Sequence, residues 1–282
     1  MDRNLLNIYS LKYNPFSPQL PEEALITTPA IEHFIWRVEN LAREGGFAAI
    51  WGNVGNGKSS AMRLLAARIA NRGEILVGEL SRPQAYVADF YREMGDIFGV
   101  ELRPSNRWAG TKILRQRWLN HIETTRMRPL LLVDEAQRMH PMLFEELRLL
   151  QSERFDSRHL LTVVFSGDQR LLEKLQGPDL LPLKSRIRTQ LVIMPANVNE
   201  LIERLKEAIA AAGNPGLMTE ILIQTLAEHS AGNWRTMMNS ANELLLAAAA
   251  KQQPLLDEKL YFEVFATPVP PFNKPNKKKN GK

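Results

Sequence analysis

A parallel α/β sheet covered by helices on both faces, followed by a smaller all-helical domain, is the fold class that two features of this 282-residue chain predict. The first is a run of short, nearly continuous apolar segments separated by helical ones, the pattern of strands buried on both sides. The second is the loss of that alternation after "QLVIM" (190–194), beyond which only helical periodicities remain. The hydrophobic share of 44% and charged share of 24% are those of an ordinary globular chain.

The elements follow in order. "YSLKYNPFSPQLPEE" carries three prolines and reads as turns, so residues 1–24 form an N-terminal extension. "TPAIEHFIWRVENLARE" opens with a Thr-Pro start signal and aligns Ile31, Phe34, Ile35, Val38 and Leu41 on one helical stripe. The alternation continues with "FAAIW" (strand), "SSAMRLLAARIANR" (helix), "EILVGEL" (strand), "QAYVADFYREMGDIFG" and "TKILRQRWLNHIETTR" (helices). "PLLLVDE" (strand), "PMLFEELRLLQSE" (helix), "LLTVVFSGD" (strand) and "QLVIM" (strand) complete a first domain over 25–195. "NVNELIERLKEAIAAAG", "TEILIQTLAEHSAG" and "NWRTMMNSANELLLAAAAK" read as three helices of a second domain, 196–266. Residues 267–282 are proline- and lysine-rich with too little apolar content to pack, and a disordered basic tail is expected.

Composition excludes several chemistries. With no cysteine there are no disulfides, thiolate metal sites or cysteine nucleophiles, and the five histidines are scattered without ligand spacing. No apolar run approaches the ~18 residues of a membrane span, and the N-terminus lacks the features of a secretory signal, so a cytoplasmic location without membrane contact is expected. The net charge of +5 resides in the final fourteen residues, which hold five lysines and no acid. Any nucleic-acid site must therefore be a local patch.

The chemistry concentrates in "GNVGNGKSS", which matches G-x-x-x-x-G-K-[ST] between a strand and a helix. Its residues Gly52, Asn53, Val54, Gly55, Asn56, Gly57, Lys58, Ser59 and Ser60 would wrap phosphates with backbone N–H groups. Lys58 would bridge the β- and γ-phosphates, and Ser59 would ligate Mg²⁺. Some seventy-five residues later "PLLLVDEAQ" ends a strand in two acids. Asp134 would hold the Mg²⁺ shell through water, and Glu135 would orient and deprotonate the attacking water. Ser166, ending the next strand in "FSGDQ", is either a γ-phosphate or water contact or a simple turn residue. ATP is expected over GTP because no N-K-x-D guanine-reading motif occurs.

The phosphate loop, "DEAQ", a polar strand end, arginines before the last strand and "GNWR" in a following helical domain together resemble an AAA+ ATPase. Within that superfamily, "YNPFSP", "LLLVDEAQRMHPMLFEELRLLQS", "LLTVVFSGDQRLLEKL" and "LKSRIRTQLVIMP" are similar to the ExeA/TnsC/TniB-like group, over roughly residues 10–250. The resemblance implies that Arg235 of "GNWR" is a sensor-2 arginine reaching from the helical lid to the nucleotide. It also implies that Arg186 and Arg188 occupy the arginine-finger region, and a finger supplied in trans means a homo-oligomer, ring or filament. Arg186 fits the family's "R-I" pattern better, while surface ion pairing is the plain alternative for both. Ser166 departs from the asparagine common at sensor 1.

The resemblance further implies a regulator of DNA transposition that works with a transposase and a target-selection protein. The alternatives are a secretion-type ATPase and a DNA loader or origin-binding protein; the secretion branch carries a membrane span and a further domain that are not visible here. Residues 101–128 hold seven basic residues against two acids. Arg103, Arg107, Lys112 and Arg115 in this segment are candidates for sequence-independent contacts to double-stranded DNA phosphates, or else form a solvated helix face paired with acids. Trp108 and Trp118 are expected in the core or a subunit interface rather than as stacking platforms.

Overall fold

The computed structural model describes residues 3–103 and 106–266. The expected basic tail, 267–282, lies outside the described residues.

Five parallel strands form the central sheet: β1 (Gly46–Gly52), β2 (Val77–Leu80), β3 (Leu130–Val133), β6 (Thr162–Gly167) and β7 (Ile187–Ile193), in the order β2-β3-β6-β1-β7. Between β3 and β6 lies a two-residue antiparallel ladder, β4 (Ser152–Glu153) with β5 (Arg158–His159). Strand periodicity divides the core into two layers. Phe47, Ala49, Trp51, Leu131, Val133, Val163 and Phe165 face one cluster; Ala48, Ile50, Leu130, Leu132, Val164 and Leu191 face the other.

The second layer is closed by α2 (Pro29–Glu44) and α3 (Lys58–Ala70), whose Ile31, Phe34, Ile35, Val38, Leu65 and Ile69 are buried there. The first is covered by α4 (Val87–Phe98), α5 (Arg107–Thr125), α6 (Pro141–Gln151), α7 (Gln169–Gln176) and the single turn α8 (Leu181–Lys184). Helix α5 begins four residues before the expected "TKIL" start because Asn106 caps it, accepting a hydrogen bond from the Ala109 N–H. Trp118 is fully buried, edge-on to Phe98, whereas Trp108 stands 77% exposed. Trp108 is therefore not a core residue of this chain.

Among the described residues four helices, not three, follow the sheet: α9 (Val198–Ala211), α10 (Glu220–His229), α11 (Trp234–Ala250) and α12 (Glu258–Phe265). Asp257 caps the fourth through the Leu260 N–H, and Leu260 seats it in the bundle core. The N-terminal segment joins the same core. Helix α1 (Arg3–Ile8) and the turns after it contribute Leu5, Tyr9, Leu11 and Phe16. The Tyr9 hydroxyl donates to the Gln253 carbonyl at 2.9 Å, and the Lys12 N–H to the Ala212 carbonyl at 2.8 Å. Residues read as an extension in the sequence are thus packed 200 positions away.

Candidate active site

Parallel strands deliver their C-terminal ends to one edge, and the strand order puts β3, β6 and β1 side by side there. Because Val133 is in register with Phe165, the residues that follow, Asp134 and Ser166, emerge as neighbours. The Ser166 hydroxyl donates to Asp134 Oδ1 at 2.8 Å, and the Ser59 hydroxyl donates to Asp134 Oδ2 at 2.9 Å. The Glu135 N–H also donates to Asp134 Oδ1, at 2.9 Å. One carboxylate therefore ties the phosphate loop to two strand ends.

The loop itself runs from Gly52 into α3. Gly55 (φ +87°) and Gly57 (φ +101°) adopt the left-handed region that side chains disfavour. Gly55 is needed for space as well: a Cβ there would lie 2.3 Å from Asn233 Oδ1. Lys58 is 6% exposed, and its ammonium donates to the loop carbonyls of Gly52 (2.9 Å) and Asn53 (3.0 Å). Burial pushes Lys58 below the ordinary lysine range, while the carboxylates of Glu135, Asp134 and Asp168 pull the other way.

The donor set fits a nucleotide triphosphate. The amide nitrogen of Asn56 is buried without a partner among the described residues, and Lys58 has only its own loop's carbonyls to satisfy it. Ser59 and Asp134 supply hard oxygen donors suited to Mg²⁺. No group of three or more His, Cys, Asp or Glu residues among the described ones is placed to hold a metal ion by itself, so such an ion would share phosphate oxygens and water rather than sit in an all-protein cage.

The helical bundle reaches this loop directly. The Asn233 amide donates to the Val54 carbonyl at 2.9 Å, and the Arg235 N–H to the Gly55 carbonyl at 3.1 Å. The Arg235 side chain is exposed and lines, with Lys58, Ser59 and Glu135, a cavity of about 230 Å³. A neighbouring cavity of about 480 Å³ is bounded by Asn56, Leu25, Ile26, Ile193, Met194 and Trp234. It is apolar enough for a flat ring system.

The remaining candidates are dispersed. Arg188 is not in a loop before the last strand but inside β7, on its exposed face, where it pairs with Glu44 at 2.7 Å. Arg186, one residue before β7, is held by Asp156, which accepts from its Nε at 2.6 Å. Arg107 is ion-paired with the buried carboxylate of Glu146. Arg115 does not stand free to meet a phosphate: it donates to the Leu150 carbonyl at 3.0 Å and the Leu149 carbonyl at 2.6 Å, with a third bond to Ser152. It caps the C-terminus of α6, where a cation complements unpaired carbonyls. Lys112 and Arg103 are exposed, and the Lys112 ammonium lies 5.9 Å over the Trp108 ring.

Residues to which the sequence assigned no role complete the site. Asn233 is both the N-cap of α11 and the anchor to Val54. Its position just ahead of "WR" was the available signal. Gln137 donates to Glu135, Lys174 donates to the Gln137 carbonyl, and Asp168 is near enough to Lys58 to act on its charge; only tertiary contacts reveal these roles.

Comparison with known proteins agrees with this geometry. Residues 41–175 match the family model described as "AAA domain". A "General secretion pathway protein A" of Aeromonas hydrophila is 30% identical over 212 residues, 73% of this chain, and the matched part spans 38% of that protein's length. Among solved structures, the chain is similar to Cdc6p from Pyrobaculum aerophilum (TM-score 0.67, 14% identity, 86% of this chain and 67% of that one). It is also similar to the Drosophila ORC bound to DNA (TM-score 0.64, 15%, 92% and 71%) and to the Aeropyrum pernix ORC1 protein in complex with DNA (TM-score 0.62, 18%, 89% and 68%). At these identities the structural likenesses speak for the fold. Sheet order, phosphate loop and family match agree: residues 41–175 match an AAA domain, and the chain has the fold of the solved structures it resembles.

Proposed function

We propose that this ATPase assembles on double-stranded DNA in its ATP-bound state and regulates transposition by recruiting or activating a transposase there. The observation that carries the nucleotide-dependent part is the pair of bonds from Asn233 and Arg235 to the phosphate loop, which couples nucleotide at the sheet to the orientation of the bundle. The bundle, 196–266, acts as a lid over the 25–195 domain. Lys58 neutralises the β- and γ-phosphates, Arg235 adds charge from the lid, and the apolar cavity beside Ile193 and Met194 takes the adenine. Ser59, and Asp134 through water, would hold Mg²⁺, which when bound would supply charge neutralisation to the phosphoryl oxygens. Glu135 takes the proton of the attacking water, and Ser166, bonded to Asp134, keeps that carboxylate aligned.

Arg186 acts on the neighbouring subunit's nucleotide. Within one subunit it is occupied by Asp156, so this reading requires that assembly exchange that ion pair for a phosphate. Exposed Lys112, with Trp108 beside it, and exposed Arg103 contact the DNA backbone, and the DNA-bound ORC structures of the same fold support this kind of partner. A second reading, a secretion-pathway ATPase, is favoured by the 30% identity to general secretion pathway protein A. No helix among the described residues is long and apolar enough to cross a membrane.

The test is negative-stain microscopy of the purified protein with a slowly hydrolysed ATP analogue, with and without mixed-sequence duplex DNA. Rings or filaments that depend on both support the transposition reading, and a monomer indifferent to DNA rejects it. In the same assay Lys58→Ala abolishes assembly, and Glu135→Gln with ordinary ATP accumulates the assembled form because it binds ATP without hydrolysing it.

A further inference from the structure

The turn that follows the two acidic residues is built more firmly than a connection requires. Ala136–Arg138 form one 3₁₀ turn directly after Glu135, which itself sits at φ +52°, a left-handed backbone region that is strained for a non-glycine residue. Something must hold Glu135 there. Gln137 is 7% exposed, and its amide nitrogen donates to Glu135 Oε2 at 2.9 Å. The Lys174 ammonium from α7 fixes the turn from below, donating to the carbonyls of Gln137 (2.5 Å) and Met139 (2.7 Å).

The amide's own environment sets its direction. Its oxygen is buried with no hydrogen-bond partner among the described residues and lies against Gly167, where an added Cβ would come within 2.8 Å of it. Turning the amide over would place that oxygen against the Glu135 carboxylate, acceptor facing acceptor, so only the observed orientation is tenable. A buried side chain that leaves one polar atom unsatisfied in order to serve a carboxylate bears the desolvation cost of that atom. Packing alone would favour an apolar side chain of the same volume.

We infer that Gln137 is the positioning residue of the Glu135 base. Resting on the reading of Glu135 as the base, it pins Oε2 and leaves Oε1 as the oxygen that accepts the proton of the attacking water. Orientation of a base by a fixed neighbour contributes through geometry, so its loss lowers turnover rather than nucleotide affinity.

Steady-state ATPase kinetics with DNA present, together with binding of a fluorescent ATP analogue, test this on the full chain. Gln137→Met keeps the volume and removes the donor, and it is expected to lower kcat about tenfold with KM and analogue affinity within twofold. Gln137→Glu keeps the shape but sets a second carboxylate against the first, and it is expected to fall further than Gln137→Met. In the Glu135→Gln background, adding Gln137→Met is expected to cost nothing more, because the two residues act as a unit. Wild-type kcat in Gln137→Met, or the same tenfold loss in the Glu135→Gln background, would overturn the inference. Should Glu135→Gln itself turn over at the wild-type rate, the base assignment fails, an outcome distinct from a dead Glu135→Gln beside a fully active Gln137→Met.

Discussion

The strand-end network around Asp134 and the arginines scattered over α5 and β7 are both built from charged groups, yet they behave oppositely. At the strand ends Ser59, Ser166 and the Glu135 N–H converge on a single carboxylate, and Lys58 is satisfied only by carbonyls of its own loop. Those groups are brought together with capacity left over for a ligand. The arginines are already spent: Arg186 on Asp156, Arg188 on Glu44, Arg107 on Glu146 and Arg115 on the end of α6. Burial makes the difference consequential, since an exposed pair such as Arg188–Glu44 is worth little and exchanges readily. A cation held by three helix-end carbonyls at once does not.

The largest test of that contrast concerns Arg186. If it leaves Asp156 for a neighbour's nucleotide, Arg186→Ala lowers ATP turnover by about 10³-fold, the scale of a trans-acting arginine. Mixing with Lys58→Ala subunits, which hydrolyse nothing but keep the arginine, then restores turnover. A mixture that stays inactive would return Arg186 to the class of structural ion pairs. Arg188→Ala, removing only an exposed pair, changes turnover by less than about threefold.

Arg115 sharpens the comparison in the other direction. Arg115→Ala is expected to destabilise the fold by about 1.5–3 kcal/mol, because its hydrogen bonds are charge-assisted, while leaving DNA binding at constant salt unchanged. Chemical denaturation and a fluorescence-anisotropy titration read the two effects separately. The smallest effect belongs to Lys112→Ala. It leaves stability within about 0.5 kcal/mol, as for most surface changes. Its signature is a salt dependence of DNA affinity shallower by about one ion. If Arg115→Ala weakened DNA binding and Lys112→Ala did not, the division of the basic segment into structural and free cations would be reversed.

What could be read in advance follows the same line. The phosphate loop and "DEAQ" are local patterns, and apolar strands before each of them fix the edge at which they emerge, so Lys58, Ser59, Asp134 and Glu135 could be grouped without coordinates. Arg115 shares its composition with Lys112 and differs only in what lies 35 residues away. The turns after helix α1 read as an N-terminal extension by their prolines, yet Tyr9 and Phe16 bury against helices about 200 residues later. Gln137 stands in "DEAQ", but its role was not legible there because it depends on Lys174 and Gly167, contributed by α7 and β6.

Sequence alone determined the alternation of strands and helices, the conformational demands of Gly55 and Gly57, and the chemical types present at the strand ends. These are set within a few residues by periodicity and backbone sterics. Tertiary structure decided which charges remain free, which way Glu135 is held, and that the bundle rests on the phosphate loop through Asn233 and Arg235. A hydrogen bond or ion pair needs its partner within about 3 Å, and which distant residue supplies that partner is settled only when the chain closes on itself.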